Sequence, residues 1–195
     1  MCPEELALAK ARMSDGAVDL FQLEAQNLTA INNDSIDVVL CHWALTLMDP
    51  IAPVLNEISR ILSSSGKFAA LVNGPMDTAP GYSDVYNLIY KYVQTKLPNY
   101  GEIDLGDPRI KGTKSLKYLV SEAFPDANVS LENNVVSMVG PVAEVSETAA
   151  GFFYASFILP PELRKIMLSN LSNLLSVSKQ EGRFVMPISR LIVKK

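Results

Sequence analysis

Residues 36–73 carry the pattern strand, helix, strand, and this order constrains the fold more than any other feature of the chain. Residues 36–41 are almost continuously apolar, which is typical of a strand inside a parallel sheet. Residues 50–62 have apolar side chains at helical spacing, and a turn is predicted at residues 63–66 before a strand at 67–73. Short connections make such a unit a right-handed crossover, so we predict an α/β fold with a mostly parallel sheet.

The rest of the chain predicts a single domain, residues 1–195, in which further helices cover the sheet. Helices are predicted over residues 4–13, 82–97, 113–124 and 161–176, and strands over residues 18–25, 128–136 and 183–193. The domain is divided into a core (4–73), a helical cap (76–125 and 149–180) and terminal strands (126–148 and 183–195). We expect the two late strands to finish the sheet as a hairpin-like edge.

Charge and cysteine content exclude several classes of function. The net charge of −4 and the pI near 5.1 provide no basic surface for nucleic acid or an anionic membrane. The longest apolar run, residues 149–161, is too short to span a bilayer and is interpreted as a buried helix or a lid. Two cysteines, Cys2 and Cys41, give no disulfide framework and no metal-ligand spacing, so we expect no metal and a reducing cytoplasm.

The sequence Cys41-His42-Trp43 follows the apolar strand directly and contains the only histidine and the only tryptophan of the chain. Ligands of α/β proteins bind beyond the carboxyl ends of the strands, so rare side chains at this point are candidates for a site. Ordinary packing is the alternative for all three residues. Cys41 in particular is expected to be a small buried hydrophobe.

Aromatic side chains concentrate in the predicted cap. Six of the seven tyrosines lie between Tyr82 and Tyr118, and Tyr82, Tyr86 and Tyr90 share one helix face at four-residue spacing. Two interpretations remain open for these three tyrosines and for Phe153. They either attach the cap to the core or form the wall of a pocket for a small, partly apolar molecule.

Residues 4–73 resemble the class I S-adenosylmethionine-dependent methyltransferases, and specifically the small-molecule type 11 family. Three stretches carry the match, LEAQNL (residues 23–28), NNDSIDVVLCHWALTLMDP (32–50) and VLNEISRILSSSGKFAALV (54–72), and the tail RFVMPISRLIVKK (183–195) fits the same fold. The first is similar to the acidic segment that follows the family's third strand, and the next two to its fourth strand, the following helix and its fifth strand. The last is similar to the closing strand of this Rossmann-like fold.

The resemblance implies S-adenosylmethionine as cofactor and a small-molecule acceptor. Glu24 and Ala25 are expected beside the adenine, and Cys41, His42 and Trp43 beside the methionine part of the cofactor. His42 is also the candidate general base, because an imidazole is the side chain best suited to accept a proton near neutral pH. Tyr82, Tyr86, Tyr90 and Phe153 are the candidate acceptor-binding residues.

The sequence departs from the family at its start. No glycine precedes Gly16, so the family's glycine-rich turn and the acid that holds the ribose have no counterpart, and the first two strands are expected to be missing. We therefore expect weak cofactor binding by this chain. The predicted strand at residues 18–25 should either pair directly with residues 36–41 or leave a gap that a second copy fills as a homodimer.

Two functions remain open at this point. The chain is either the larger part of a small-molecule methyltransferase, completed by further polypeptide, or a non-catalytic relative that acts through binding or self-association. A nicotinamide-dependent dehydrogenase is less favoured, because the dinucleotide-binding fingerprint is absent as well.

Overall fold

A computed structural model describes residues 3–13, 18–102 and 106–195 of the chain. The helices are α1 (Pro3–Arg12), α2 (Ile51–Ile61), α3 (Tyr82–Gln94), α4 (Thr113–Ala123), α5 (Val142–Gly151) and α6 (Pro161–Leu175). The strands are β1 (Ile36–His42), β2 (Leu62–Asn73), β3 (Asn128–Pro141) and β4 (Glu181–Lys194). Short 3₁₀ helices occupy Ala44–Leu47, Met76–Thr78, Pro108–Lys111 and Tyr154–Ile158.

The four strands form one sheet in the order β1-β2-β4-β3. β1 and β2 pair in parallel through the crossover that contains α2, which confirms the predicted strand, helix, strand unit. β4 pairs antiparallel with both β2 and β3, which confirms the predicted hairpin-like edge. The α/β class is confirmed, but the described sheet is mixed rather than mostly parallel, because β4 lies between β2 and β3 and runs against both.

Helices cover both faces of the sheet, and two apolar cores result. The first core joins α2 and α4 to Phe68, Ala70 and Val72 of β2 and to Leu191 of β4. The second core joins α3, α5 and α6 to the other face of β4, including Phe184. The side chains of a strand alternate between the faces of a sheet, so β4 contributes to both cores.

The strand predicted at residues 18–25 is wrong. The segment lacks regular secondary structure as far as Glu24 and turns at Ala25. Val18 and Phe21 are 59% and 50% exposed, so the alternating apolar pattern is not used to pack against a sheet. A strand is stabilised by hydrogen bonds to a neighbour, and none of the described strands pairs with this segment or with the outer edge of β1. The expected direct pairing with residues 36–41 is therefore wrong as well.

Two further boundaries differ from the sequence predictions. Residues 63–66 do not end an element but form a bulge inside β2, since Leu62 pairs with Ile36 whereas Lys67 already pairs with Val38. β3 ends at Pro141 and α5 follows at once, so the later part of the predicted strand segment 126–148 is helical. Proline cannot donate a ladder hydrogen bond but suits the start of a helix, which explains the change at this point.

Candidate functional site

The carboxyl end of β1 turns sharply at Trp43. Cys41 and His42 still pair with Ala70 and Leu71 of β2, and the Trp43 N–H donates to the Leu71 carbonyl at 3.0 Å. Trp43 then adopts φ 63°, a left-handed conformation that is rare for a bulky residue. The Thr46 hydroxyl donates to the Trp43 carbonyl at 2.6 Å and fixes the 3₁₀ helix that follows.

The three side chains of this segment have different environments. Cys41 packs against the first core, and burial raises the pKa of its thiol, so the sulfur stays protonated, in agreement with the expected small hydrophobe. His42 is exposed. Trp43 is half-buried against the second core, and its ring lies edge-on to the His42 ring with 5.8 Å between centroids. The strand end therefore presents an imidazole and an indole to its surroundings.

A buried carboxylate holds the loop that follows Trp43. Asp107 is 4% exposed, and its Oδ1 accepts hydrogen bonds from the Arg109 N–H at 3.0 Å and from Arg109 Nε at 2.9 Å. Its Oδ2 accepts from Arg109 Nη2 at 2.6 Å and from the Ile51 N–H at 3.5 Å, so it reaches the start of α2. The Asp107 N–H donates to the Met48 carbonyl at 2.9 Å. These contacts position the loop beside the candidate site.

Asp107 is not among the residues predicted from the sequence. The signal was present, because an aspartate directly before a proline is typical of the residue that caps a helical turn. The contact between this cap and the loop 44–51 cannot be predicted from the local sequence, because the two segments are distant in the chain.

Glu24 and Ala25 lie on a segment that precedes β1 in the chain. Ala25 packs against the same first core as Cys41, whereas Glu24 is exposed. The backbone after them is fixed by α2: Glu57 accepts from the Leu28 N–H at 2.7 Å, and Arg60 Nη2 donates to the Leu28 carbonyl at 3.0 Å. Hydrogen bonds from Arg60 lower the pKa of Glu57 to about 2. This Glu57–Arg60 anchor was also overlooked in the sequence.

The four candidate acceptor-binding residues lie together. The rings of Tyr82, Tyr86 and Tyr90 are 6.2, 6.2 and 6.4 Å from the Phe153 ring, and Tyr86 stacks on Tyr90 at 3.8 Å. Tyr100, which was not predicted, joins the group at 4.9 Å from Tyr90. We call these five residues the aromatic cluster. They border the second core, against which Trp43 also packs.

Other kinds of site receive no support from the described part of the chain. Within residues 3–13, 18–102 and 106–195, no group of three or more histidine, cysteine, aspartate or glutamate side chains could hold a metal ion. In the same ranges, no helix combines the length and the apolar character needed to cross a membrane.

The chain is similar to known proteins in both sequence and structure. Residues 1–70 match the model of a methyltransferase domain family. A candidate methyltransferase from an antibiotic biosynthesis pathway of Anabaena variabilis has a TM-score of 0.57 at 14% identity, over 95% of this chain and 77% of that one. A candidate methyltransferase from Bacillus halodurans has a TM-score of 0.52 at 13% identity, over 91% of this chain and 78% of that one. The chain has the class I methyltransferase fold.

A third solved structure also has this fold. A candidate methyltransferase from Haloferax volcanii, solved in complex with the Trm112 methyltransferase activator, shares the fold with a TM-score of 0.52 at 17% identity, over 98% of this chain and 67% of that one. Comparison with curated protein sequences gave no match. The family match confirms the resemblance found in the sequence and connects residues 1–70 to S-adenosylmethionine-dependent methyl transfer in general.

In the described part of the chain, the outer side of β1 is open, which limits how completely the S-adenosylmethionine that this fold implies could be enclosed there. β1 is an edge strand, and none of the described strands pairs with its outer side. Val38 and Leu40 lie on the same face of β1 as His42 and are 55% and 77% exposed. A small-molecule site buries most of its ligand, so the residues present do not by themselves fit the whole cofactor.

Proposed function

We propose that the chain takes part in methyl transfer from S-adenosylmethionine to a small, partly apolar acceptor. One observation carries the proposal: Trp43, at the strand end that the resemblance assigns to the cofactor, packs against the same core as the aromatic cluster. A cofactor position and an apolar acceptor surface are thus connected through one side chain. Methyl transfer is a displacement that mainly requires two aligned reactants and the exclusion of water, and aromatic walls provide both.

The residues of the strand end have separate proposed roles. Trp43 forms a wall between the cofactor and the acceptor. His42 is exposed at the same strand end and serves as general base for an acceptor that must lose a proton. Cys41 is a buried support, and Glu24 and Ala25 contact the adenine.

The other wall of the cofactor site requires a further polypeptide segment along β1. The free backbone groups of an edge strand are a template for another strand. A strand on this edge would cover Val38 and Leu40 partly and would bring new backbone N–H groups close to His42. In this proposal the described residues position the acceptor, and the added segment completes the cofactor site.

The single tryptophan permits a direct test by nuclear magnetic resonance. The indole N–H signal of Trp43 is unique in this chain, and it is followed while S-adenosylhomocysteine is added up to about 10 mM, which suits weak binding. We expect a saturable shift of this signal, and a smaller shift with methionine alone.

The proposal is contradicted if the Trp43 signal does not move at any concentration, whether or not other signals shift. The variant Tyr118→Phe is a control in which the Trp43 shift should be unchanged, because Tyr118 lies exposed on α4.

The open edge of β1 favours a second candidate function, a non-catalytic one. An apolar strand whose edge is unpaired among the described strands, and which exposes Val38 and Leu40, suits binding to another chain, including a second copy of this one. In that case Val38 and Leu40 would lie in an interface, and His42 would be a contact residue rather than a base.

A further inference from the structure

A pocket of about 380 Å³ opens beside the C-terminal half of α3. Its lining includes Tyr86 and Tyr90 of α3 together with Tyr100 and Gly101 of the following turn. Its volume lies near the lower end of the range for small-molecule sites, about 300–1,000 Å³. A ligand of one or two fused rings is therefore the right size.

The planar rings of three tyrosines line this pocket. Tyr86 and Tyr90 stack with an angle of 25° between their planes, and Tyr100 lies against Tyr90 at 56°. Gly101 has φ 95°, and a Cβ atom at this position would lie 2.6 Å from Tyr90 Cε1. Glycine therefore lets the turn approach the Tyr90 ring more closely than any other residue could. Aromatic surfaces of this kind attract other aromatic rings through stacked or edge-on contacts.

The charges around the pocket balance. Lys91 and Glu102 each line it and contribute one charge of opposite sign. Burial, followed by the hydrogen bond to Tyr86, raises the pKa of Tyr90, and burial also raises the pKa of Tyr100. Both phenols are thus neutral at pH 7 and can donate or accept hydrogen bonds.

We propose that this pocket binds a neutral, planar aromatic molecule that carries a hydroxyl or carbonyl group. The parts of the Tyr86, Tyr90 and Tyr100 rings that face the pocket would contact the ligand face-on or edge-on, and a tyrosine hydroxyl would hydrogen-bond its polar group. Lys91 and Glu102 each attract one sign of charge and repel the other, so together they favour neither a cation nor an anion. A charged ligand would in addition lose more hydration on entering the pocket than a neutral one.

The pocket extends the aromatic cluster that borders the second core, so the proposed ligand belongs to the acceptor class of the methyl transfer. That assignment rests on the proposed function, whereas binding of the aromatic molecule does not. A test without cofactor therefore separates the two proposals.

Calorimetry on the unmodified chain compares three probes of similar size: 2-naphthol, phenyltrimethylammonium and 2-naphthalenesulfonate. We expect 2-naphthol to bind at least about 10-fold more tightly than either charged probe, a difference of about 1.4 kcal/mol. Tightest binding of the cation or the anion overturns the proposed ligand class. If none of the three probes binds, the proposal that this pocket binds a ligand is refuted.

Variants then locate the site. Tyr90→Ala is expected to weaken 2-naphthol binding at least about 10-fold, whereas Tyr118→Ala, at a residue that is 65% exposed, leaves it unchanged. Intermolecular NOEs from 2-naphthol to the tyrosine rings of the unmodified chain provide a second measurement that does not depend on the folding of a variant. NOEs to other parts of the surface alone would refute the site. If 2-naphthol binds while S-adenosylhomocysteine leaves Trp43 unchanged, the pocket stands and the methyltransferase proposal fails.

Discussion

At the scale of single residues, Asp107 determines the position of the loop beside the candidate site. Its carboxylate is buried and joins the 3₁₀ helix Pro108–Lys111 to the start of α2. Hydrogen bonds from Arg109 lower the pKa of Asp107 to about 2. The ordinary value is near 3.9, so the ionised carboxylate is more favourable in the folded state than in the unfolded state.

Asp107→Asn should reduce the free energy of unfolding at pH 7 by about 1–2 kcal/mol, because the charge-assisted bonds to Arg109 are lost. A folded pKa below the unfolded one contributes stability above about pH 4 that is lost as the pH falls toward 2. The difference between wild type and variant in urea unfolding should therefore shrink between pH 4 and pH 2. A difference that stays constant from pH 7 to pH 2 would refute this role. Asp126→Asn, at an exposed position, is the control.

At the scale of elements, the surroundings of β1 decide whether this strand can pair with another chain. Leu40 is 77% exposed, so Leu40→Lys should change the melting temperature little in the monomer. The same change places a charge on the free strand and disfavours pairing with another chain. If the chain self-associates through β1, sedimentation analysis should show the dimer of the wild type and a monomer of the variant. The matched control is Lys117→Leu on α4.

A dimer that persists in Leu40→Lys would exclude β1 as the interface. A wild type that remains monomeric at all concentrations would remove the support for the self-association function, and the proposal of a completed cofactor site would not be affected.

Sequence patterns predicted those elements whose partners are near in the chain. β1, α2 and the second half of β2 were predicted because their apolar spacing is regular and their pairing is local. Residues 18–25 have an equally regular alternation, but a strand also needs a neighbour, and the pattern does not say whether one exists. α5 was overlooked because residues 142–148 were assigned to a segment of terminal strands, and their few apolar side chains do not distinguish a strand from a helix.

The candidate site was predicted in part for the same reason. The four-residue spacing of Tyr82, Tyr86 and Tyr90 correctly placed three rings on one helix face. Their contact with Tyr100, and that of Asp107 with the loop after Trp43, depend on how separate segments fold together. Local spacing contains no information on such contacts.

At the scale of the whole molecule, the sheet separates two cores, and the carboxyl end of β1 lies where they meet. Cys41 packs against the first core and Trp43 against the second, so the strand end is fixed from both sides. The outer edge of β1 has no such support among the described strands. This arrangement supports the proposal that these residues supply an acceptor surface and one wall of the cofactor site.

Calorimetric titration of the chain with S-adenosylhomocysteine measures how much of the cofactor site is present. A site with one wall forms only part of the hydrogen bonds that hold the cofactor, each of which contributes about 1–3 kcal/mol when charged groups are involved. We predict a dissociation constant of about 1 mM or weaker, equivalent to a binding free energy near −4 kcal/mol. A dissociation constant of about 1 μM for the monomer, near −8 kcal/mol, would contradict the proposal, because the described residues would then hold the cofactor without a second wall.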